Sequence, residues 1–403
     1  MITMARRQKN ISFYDNKEEH GIRYDWNLIR REFRKLKIPE GLYDPTGVPI
    51  EGVNYVVELS TRSFGKTTQW ILIGLVMNKL YGTTPIIIRQ TEEMTAPKHA
   101  ASLLDVIRTY DDGRYIPMLT DKRWNDVYIH ARKVYYCLRD DRGDIVEKSS
   151  EPVIYLITLE ENYALKSVFN APRGDLIIFD EFISGVYKTD EFVTLCDEIK
   201  TIIRSRLSPR VVMLSNTINV TSPYFRELEI SKEVRKLKTN ESQVVATALG
   251  TKIYVRISDT PQTKHKGLLN AAFFGFSNPA LAAIRGGDTV WNFRDVPRIL
   301  YSDEDVYLDR RLKIDTSDDC LSVDFVRTPD RGIVANVHPG EIHEDSVVLT
   351  MSDIWDRQHR YGLGFGQREK LLSTLLDRKL VYFSDCETAA VFQNYIAEAK
   401  NYF

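Results

Sequence analysis

Apolar and polar positions alternate along the first half of the chain in a repeating order of strand and helix. VNYVVEL (Val53–Leu59) is a β-rich run, and a short polar loop follows it. TTQWILIGLVMNKLYG (Thr67–Gly82) then reads as a helix, buried on most sides and stopped by glycine. TPIIIRQ (Thr84–Gln90) is a second short apolar strand. Strand, loop, helix and strand in this order predict a βαβ unit and a parallel sheet. Further on, Arg123–Lys148 alternates as antiparallel hairpin strands, and EPVIYLITL, GDLIIFDEF and PRVVMLSNT read as strands. Phe192–Leu207 has helical spacing, and Arg23–Ile38 reads as a short amphipathic helix ahead of the sheet.

The texture changes after Phe225. ELEISKEVRKLKTNESQ is charged and predicts a solvated helix or connector. Strand patterns resume at LSVDFVRTPDRGIVANVHPG, SVVLTMSD and VYFSD, and TAAVFQNYIAEA closes the chain as a helix. The expected division is therefore an α/β domain over 1–230, a linker or lid over 231–305, and a smaller α/β domain over 306–403.

Composition narrows the classes of function. With 43% hydrophobic residues, 21 Tyr and 17 Phe, the 403-residue chain can bury a sizeable core. Its net charge of -1 gives no global basic field, so any contact with nucleic acid must use local patches. The cysteines Cys137, Cys196, Cys320 and Cys386 form no CxxC pair, which argues against a disulfide framework or a structural zinc site. No run approaches about 18 apolar residues, and the N-terminus lacks the apolar core of a secretory signal. A reducing cytoplasm is the expected setting.

Three strand ends carry chemistry. Gly65-Lys66-Thr67 follows a strand and opens a helix, the context a phosphate-binding loop requires. Backbone N–H groups and the helix N-terminus favour an anion there. Lys66 offers a charge to the β- and γ-phosphates, and Thr67 a hydroxyl to Mg²⁺. The loop should begin with glycine, yet Ser60 holds that position; an ordinary βα loop stays open as the alternative. Asp180-Glu181 ends the strand Leu176–Phe179, where open α/β sheets place ligands. Asp180 suits Mg²⁺, and Glu181 suits the attacking water; a bland pair of acids at a helix start is the alternative. Ser215-Asn216-Thr217 repeats the logic, with Asn216 placed to touch the γ-phosphate or the water, unless it is a strand-end cap.

The blocks RSFGKT, IIFDEF and LSNTINVTSPYF (Leu214–Phe225), in this order over roughly Asn54 to Phe225, resemble the DNA-packaging ATPases of small tailed phages. That φ29-like group is related to the large terminase subunits. The resemblance implies an ASCE-type P-loop NTPase with a mostly parallel sheet. It implies ATP and Mg²⁺ as cofactors, held by Ser60, Thr61, Arg62, Ser63, Phe64, Gly65, Lys66, Thr67 and Thr68, with Thr67 and Asp180 on the metal. Arg62 would reach the phosphates from within the subunit. Arg204 would act on a neighbouring subunit's ATP, with Arg206 and Arg210 as rivals; such an arginine is worth about 10³–10⁵ in rate. The implied assembly is a homo-oligomeric ring, usually a pentamer, on a capsid portal, with double-stranded DNA through its pore and a packaging RNA among its partners. Lys166 and Lys98 are the expected DNA contacts, and Lys122, Arg123, Arg132 and Lys133 form a weaker cluster. The expected location is the host cytoplasm, on the procapsid, with no membrane involved.

The C-terminal region resembles, weakly, the RNase H-like nuclease module of terminases. Asp324 and Asp385 are its candidate carboxylates, and no full acidic set assembles around them. A vestigial nuclease that docks or guides DNA is therefore expected. The alternatives are a terminase that pumps and cuts, and a nucleotide-gated binding module without turnover.

Overall fold

A computed structural model describes residues 12–13, 22–60, 65–91, 97–109, 113–159, 173–183, 187, 191–204, 206–215, 221–238, 240–258, 296–299, 304–316, 318–351, 358–362 and 366–400. The chain forms two compact units. The first comprises Met1–Phe182, Phe192–Ile218 and Leu237–Leu269, and the second Ile183–Glu191, Asn219–Lys236 and Asn270–Phe403.

The first unit is built on one ten-stranded sheet. Helix α1 (Trp26–Arg34) precedes it, capped by the Asp25 carboxylate on Leu28 N–H. Strand β1 (Tyr55–Ser60) leads into helix α2 (Lys66–Tyr81), which ends on the left-handed Gly82. Strand β2 (Ile86–Arg89), helices α3 (Pro97–Thr109) and α4 (Tyr115–Leu119), and the meander β3 (Asp126–His130), β4 (Lys133–Arg139) and β5 (Ile145–Lys148) follow. Then come β6 (Ile154–Thr158), β7 (Leu176–Asp180), helix α5 (Glu191–Ile203) and β8 (Arg210–Ser215).

Strands β9 (Ser242–Ala246) and β10 (Lys252–Ser258) complete the sheet. This departs from the expected linker over 231–305. Lys252–Ser258 pairs in parallel with β1, and its alternating side chains bury Ile253, Val255 and Ile257. The strand order is β9-β10-β1-β8-β7-β2-β6-β4-β3, with β5 beside β4. The six strands from β10 to β6 are mutually parallel, and antiparallel pairs finish both edges. The parallel strands therefore end along one edge of the sheet, and their last residues form one line of side chains.

Helix α2 is apolar all round from Trp70 to Met77 and packs within the main core with Ile87, Leu176, Ile178 and Val212. Gly74 is required by that packing, since a Cβ there would stand 2.7 Å from Pro85 Cβ.

The second unit holds helices α6 (Pro223–Glu227) and α7 (Ser231–Lys236) and a six-stranded sheet. Its strands are β11 (Val306–Asp315), β12 (Cys320–Thr328), β13 (Gly332–Pro339), β14 (Val347–Thr350), β15 (His359–Tyr361) and β16 (Val381–Phe383). The order is β15-β14-β11-β12-β13-β16. Strands β11, β12 and β13 run as an antiparallel meander, and β14 returns parallel to β11. Helices α8 (Gln367–Asp377) and α9 (Cys386–Lys400) contribute Leu372, Leu375, Phe392 and Tyr395 to the core on one sheet face.

Candidate nucleotide site

Gly65 has φ 82°, a left-handed conformation in which any L side chain is strained, and it caps the start of α2. This turn aims Lys66, only 4% exposed, back over the end of β1. There its Nζ donates to Ser60 Oγ. The serine at the loop's first position thus supplies an acceptor to the lysine that a glycine lacks. Burial lowers the Lys66 ammonium to about 8, opposed by the negative charges of Glu58, Asp180 and Glu181.

In the sheet, β8 lies between β1 and β7, so the lysine strand and the acid strand stand two spacings apart, roughly 10 Å. The first turn of α2 bridges that gap. Thr67 Oγ1 donates to Asp180 Oδ1 at 2.7 Å. The two tips that the sequence singled out therefore meet directly. A hydroxyl and a carboxylate side by side are hard oxygen donors that suit Mg²⁺.

Arg89, at the end of β2, is a residue the sequence reading passed over. Ile88 pairs with Phe179, so Arg89 stands level with Asp180. Its Nη2 bonds Asp180 Oδ2, and its Nη1 lies 3.5 Å from Glu181 Oε2. The signal is in TPIIIRQ: a polar side chain closes an apolar run, as Asp180 and Ser215 close theirs. Glu181 has φ 57°, a strained conformation for a non-glycine residue. Its neighbour Phe182 holds it there, donating from N to Leu214 O and accepting at its carbonyl from Gln90 Nε2. The Glu181 side chain is 35% exposed while Asp180 is 3% exposed, so water reaches the second acid and not the first.

The strand registers place Arg256, Glu58, Leu214 and Asp180 directly opposite one another in turn, and Arg89 opposite Thr158. One row, polar at every strand but β8, where Leu214 stands, therefore crosses six strands beneath the start of α2. Ser258 and Ser60 pair one level further along. Glu58 and Tyr43, bonded at 2.7 Å, are a second feature the sequence reading missed. A lone acid in a β-rich run gives no sign of burial.

The three arginines lie elsewhere. Arg210 opens β8, and Arg206 pairs with Asp175, just before β7, at 2.5 Å. Both mark the starting edge of the sheet. The five residues of β7, at about 3.3 Å each, separate that edge from Asp180 by roughly 16 Å. Arg206 also donates to Ile202 O, and Arg210 to Ile50 O and Leu207 O. Arg204 is exposed, follows α5 at φ 50°, and its side chain has no partner among the described residues. None of the three is within reach of its own chain's Lys66 and Asp180.

Thr68 lies in the first turn of α2, half-buried. Thr61, Arg62, Ser63, Phe64, Asn216, Lys166 and the Lys98 side chain lie outside the described residues.

In the second unit Asp324 is 6% exposed and faces cations. His338 Nε2 lies 3.2 Å and Arg310 Nε 3.8 Å from its Oδ2, and Ser322 donates to Oδ1. Buried Lys313 donates to that same Ser322 hydroxyl at 2.7 Å. Hydrogen bonding to Asp324 raises the His338 imidazole above its ordinary value. Asp385 is a helix cap. It accepts from Thr388 N at 2.7 Å and from the hydroxyls of Ser384 and Thr388. Asp324, Asn336 and Tyr382 are successive cross-strand partners, and Asp385 lies three residues beyond the last. The two carboxylates are thus more than about 10 Å apart, against the roughly 4 Å between ions of a two-metal site. Each expected nuclease carboxylate is explained by a structural partner of its own. Among the described residues, no group of three or more His, Cys, Asp and Glu side chains is placed to hold a metal ion.

No protein-family model and no curated protein matches the sequence. Solved structures do match. The Phi-28 gp11 DNA packaging motor is 15% identical with a TM-score of 0.54, over 90% of this chain and 99% of that one. The bacteriophage Phi-29 viral genome packaging motor assembly is 16% identical with a TM-score of 0.51, over 88% and 99%. The N-terminal domain of the DNA packaging ATPase from bacteriophage phi29 is 21% identical over 55% of this chain, with a TM-score of 0.42. The chain thus shares the fold of phage DNA-packaging motors.

Proposed function

We propose that this chain, folded like phage DNA-packaging motors, is an ATPase that drives double-stranded viral DNA into a preformed procapsid. The observation that carries the reading is the contact of Thr67 with Asp180, beside a buried Lys66 at the end of β1. It puts a phosphate-binding cation and a pair of oxygen donors at one strand edge, where α/β sheets bind ligands.

Bound Mg²⁺ neutralises phosphate charge and orients the terminal phosphoryl group. Thr67 and Asp180 hold it, and Lys66 and the loop Ser60–Thr68, including Thr61, Arg62, Ser63, Phe64 and Gly65, hold the phosphates. Glu181 accepts a proton from the attacking water. Arg89 pairs with one oxygen of that carboxylate, Oε2. Asn216 reports the state of the γ-phosphate. Arg204, unpartnered and distant from its own site, reaches the nucleotide of the next subunit; the engagement of Arg206 and Arg210 inside their own chain favours it over them. The assembly is a homo-oligomeric ring, read as a pentamer, seated on the portal in the host cytoplasm. Lys166 and Lys98 grip DNA phosphates, and a packaging RNA is a further partner.

The second unit is RNase H-like, a reading supported by its meander of three antiparallel strands with two parallel strands beyond the first. Its candidate carboxylates are committed to His338, Arg310 and a helix cap, which supports a guiding role without cleavage. The test is ATP turnover by the purified chain with and without duplex DNA, followed by packaging with procapsid. DNA-stimulated turnover is expected; nucleotide binding without turnover would replace this reading with a nucleotide-gated binding module.

A further inference from the structure

Glu58 takes no part in the cycle above, yet it lies in the cross-strand row beneath the start of α2 and is fully buried. Strand alternation puts it on the same face as Ser60. Tyr43 Oη donates to its Oε1 at 2.7 Å, while Oε2 is buried without a hydrogen-bond partner. Two cations face it, Arg256 from β10 and Lys66 from α2, and the Ser258 hydroxyl lies nearby outside hydrogen-bonding geometry. The Arg256 guanidinium is shared, standing 5.7 Å from the Tyr43 ring centroid. Burial pushes the Glu58 carboxyl up to about 7, against the pull of Tyr43, Arg256, Lys66 and Ser258. A carboxylate so placed keeps its charge only while neighbouring cations compensate it.

We propose that Glu58 is a proton acceptor coupled to the nucleotide site: when a polyphosphate engages Lys66, Glu58 takes up a proton from solvent. The inference rests on the reading of Lys66 as the phosphate-binding lysine. The ligand adds negative charge beside Glu58 and draws Lys66 toward itself. Both changes disfavour the carboxylate and favour the acid. Release of the ligand returns the proton. By linkage, affinity for polyphosphate falls as pH rises above neutrality, by at most about tenfold per pH unit for one proton.

Isothermal titration calorimetry of the full chain with Mg·ADP at pH 7.0, where Lys66 is already protonated, in PIPES, HEPES and imidazole buffers, reads the protons exchanged. Wild type is expected to take up about half a proton more than Glu58→Gln. Tyr43→Phe removes the donor that steadies the carboxylate, so Glu58 holds its proton before ligand arrives and the uptake shrinks; this variant decides the matter if Glu58→Gln does not fold. Equal proton exchange in wild type and the folded variants, with Mg·ADP bound to all, overturns the coupling. Failure of wild type to bind Mg·ADP overturns instead the nucleotide-site reading beneath it.

Discussion

Arg89 pairs with Asp180, the aspartate proposed to hold the metal, and its removal has a magnitude that can be worked out. The Asp180 side chain is 3% exposed and that of Arg89 16%, so the pair is largely out of water. Deleting one member of a buried pair costs roughly 3–5 kcal/mol, because the other charge is left without compensation. Thr67 still donates to Asp180 in the variant, and the Lys66 charge still acts on it. Arg89→Ala therefore belongs at the lower end, about 3 kcal/mol. For a unit of this size that corresponds to a fall in Tm of roughly 6–12 °C. Mg·ADP should restore more stability to the variant than to wild type, since metal bound at Asp180 in wild type displaces Arg89 and in the variant displaces nothing. Scanning calorimetry with and without Mg·ADP makes the comparison. The cycle with Asp180→Asn isolates the pair: in that background Arg89→Ala should have little effect. A variant that melts with wild type, or gains less from Mg·ADP than wild type does, would refute the reasoning.

Four further outcomes are expected. Glu181→Gln should keep nucleotide affinity and lose about 10²–10⁴ of the turnover rate, as measured by phosphate release. Mixing Arg204→Ala with Lys66→Ala subunits should restore part of the ATPase activity, each variant completing a site that the other cannot; no recovery at any ratio would remove Arg204 from the shared site. Asp385→Ala should destabilise the second unit by about 1 kcal/mol through the lost cap, leaving DNA-stimulated turnover unchanged. For Glu58, folding holds the proton up to about pH 7, against an ordinary value of 4.5 in the unfolded chain. Its stabilising contribution is full below pH 4.5 and is lost as pH rises to 7, a change of order 3 kcal/mol. Glu58→Gln should flatten that part of the stability curve in urea titrations and outlast wild type above pH 7.

The α/β character and the strand-loop-helix around Lys66 were legible because each element announces itself locally. Trp70–Met77 is apolar on all sides, Gly82 stops the helix, and Leu176–Phe179 is a run that only a buried strand explains. The acids at Asp180 and Glu181 were legible as strand ends. What could not be read were facts of register. Arg89 gains its meaning from lying level with Asp180, and Arg256 from lying opposite Glu58, across strands distant in sequence. Lys252–Ser258 does alternate apolar and polar positions, yet its place beside β1 is a fact of register, while charged residues interrupt the apolar positions of Val306–Asp315. Asp385 differs: Asp385-Cys386-Glu387-Thr388 ahead of an apolar helix is also a capping signal, and the sequence carries it locally.

The row from Arg256 to Thr158 also ties the chemistry of this chain to whole-residue arithmetic. A strand that slides by one position turns its member of the row to the far side of the sheet. An insertion or deletion inside any of the five strands that carry a polar member would thus remove one group from the row outright, with no graded intermediate. Length changes are admissible in connecting loops other than the one between β1 and α2, while the strands themselves can vary only by substitution.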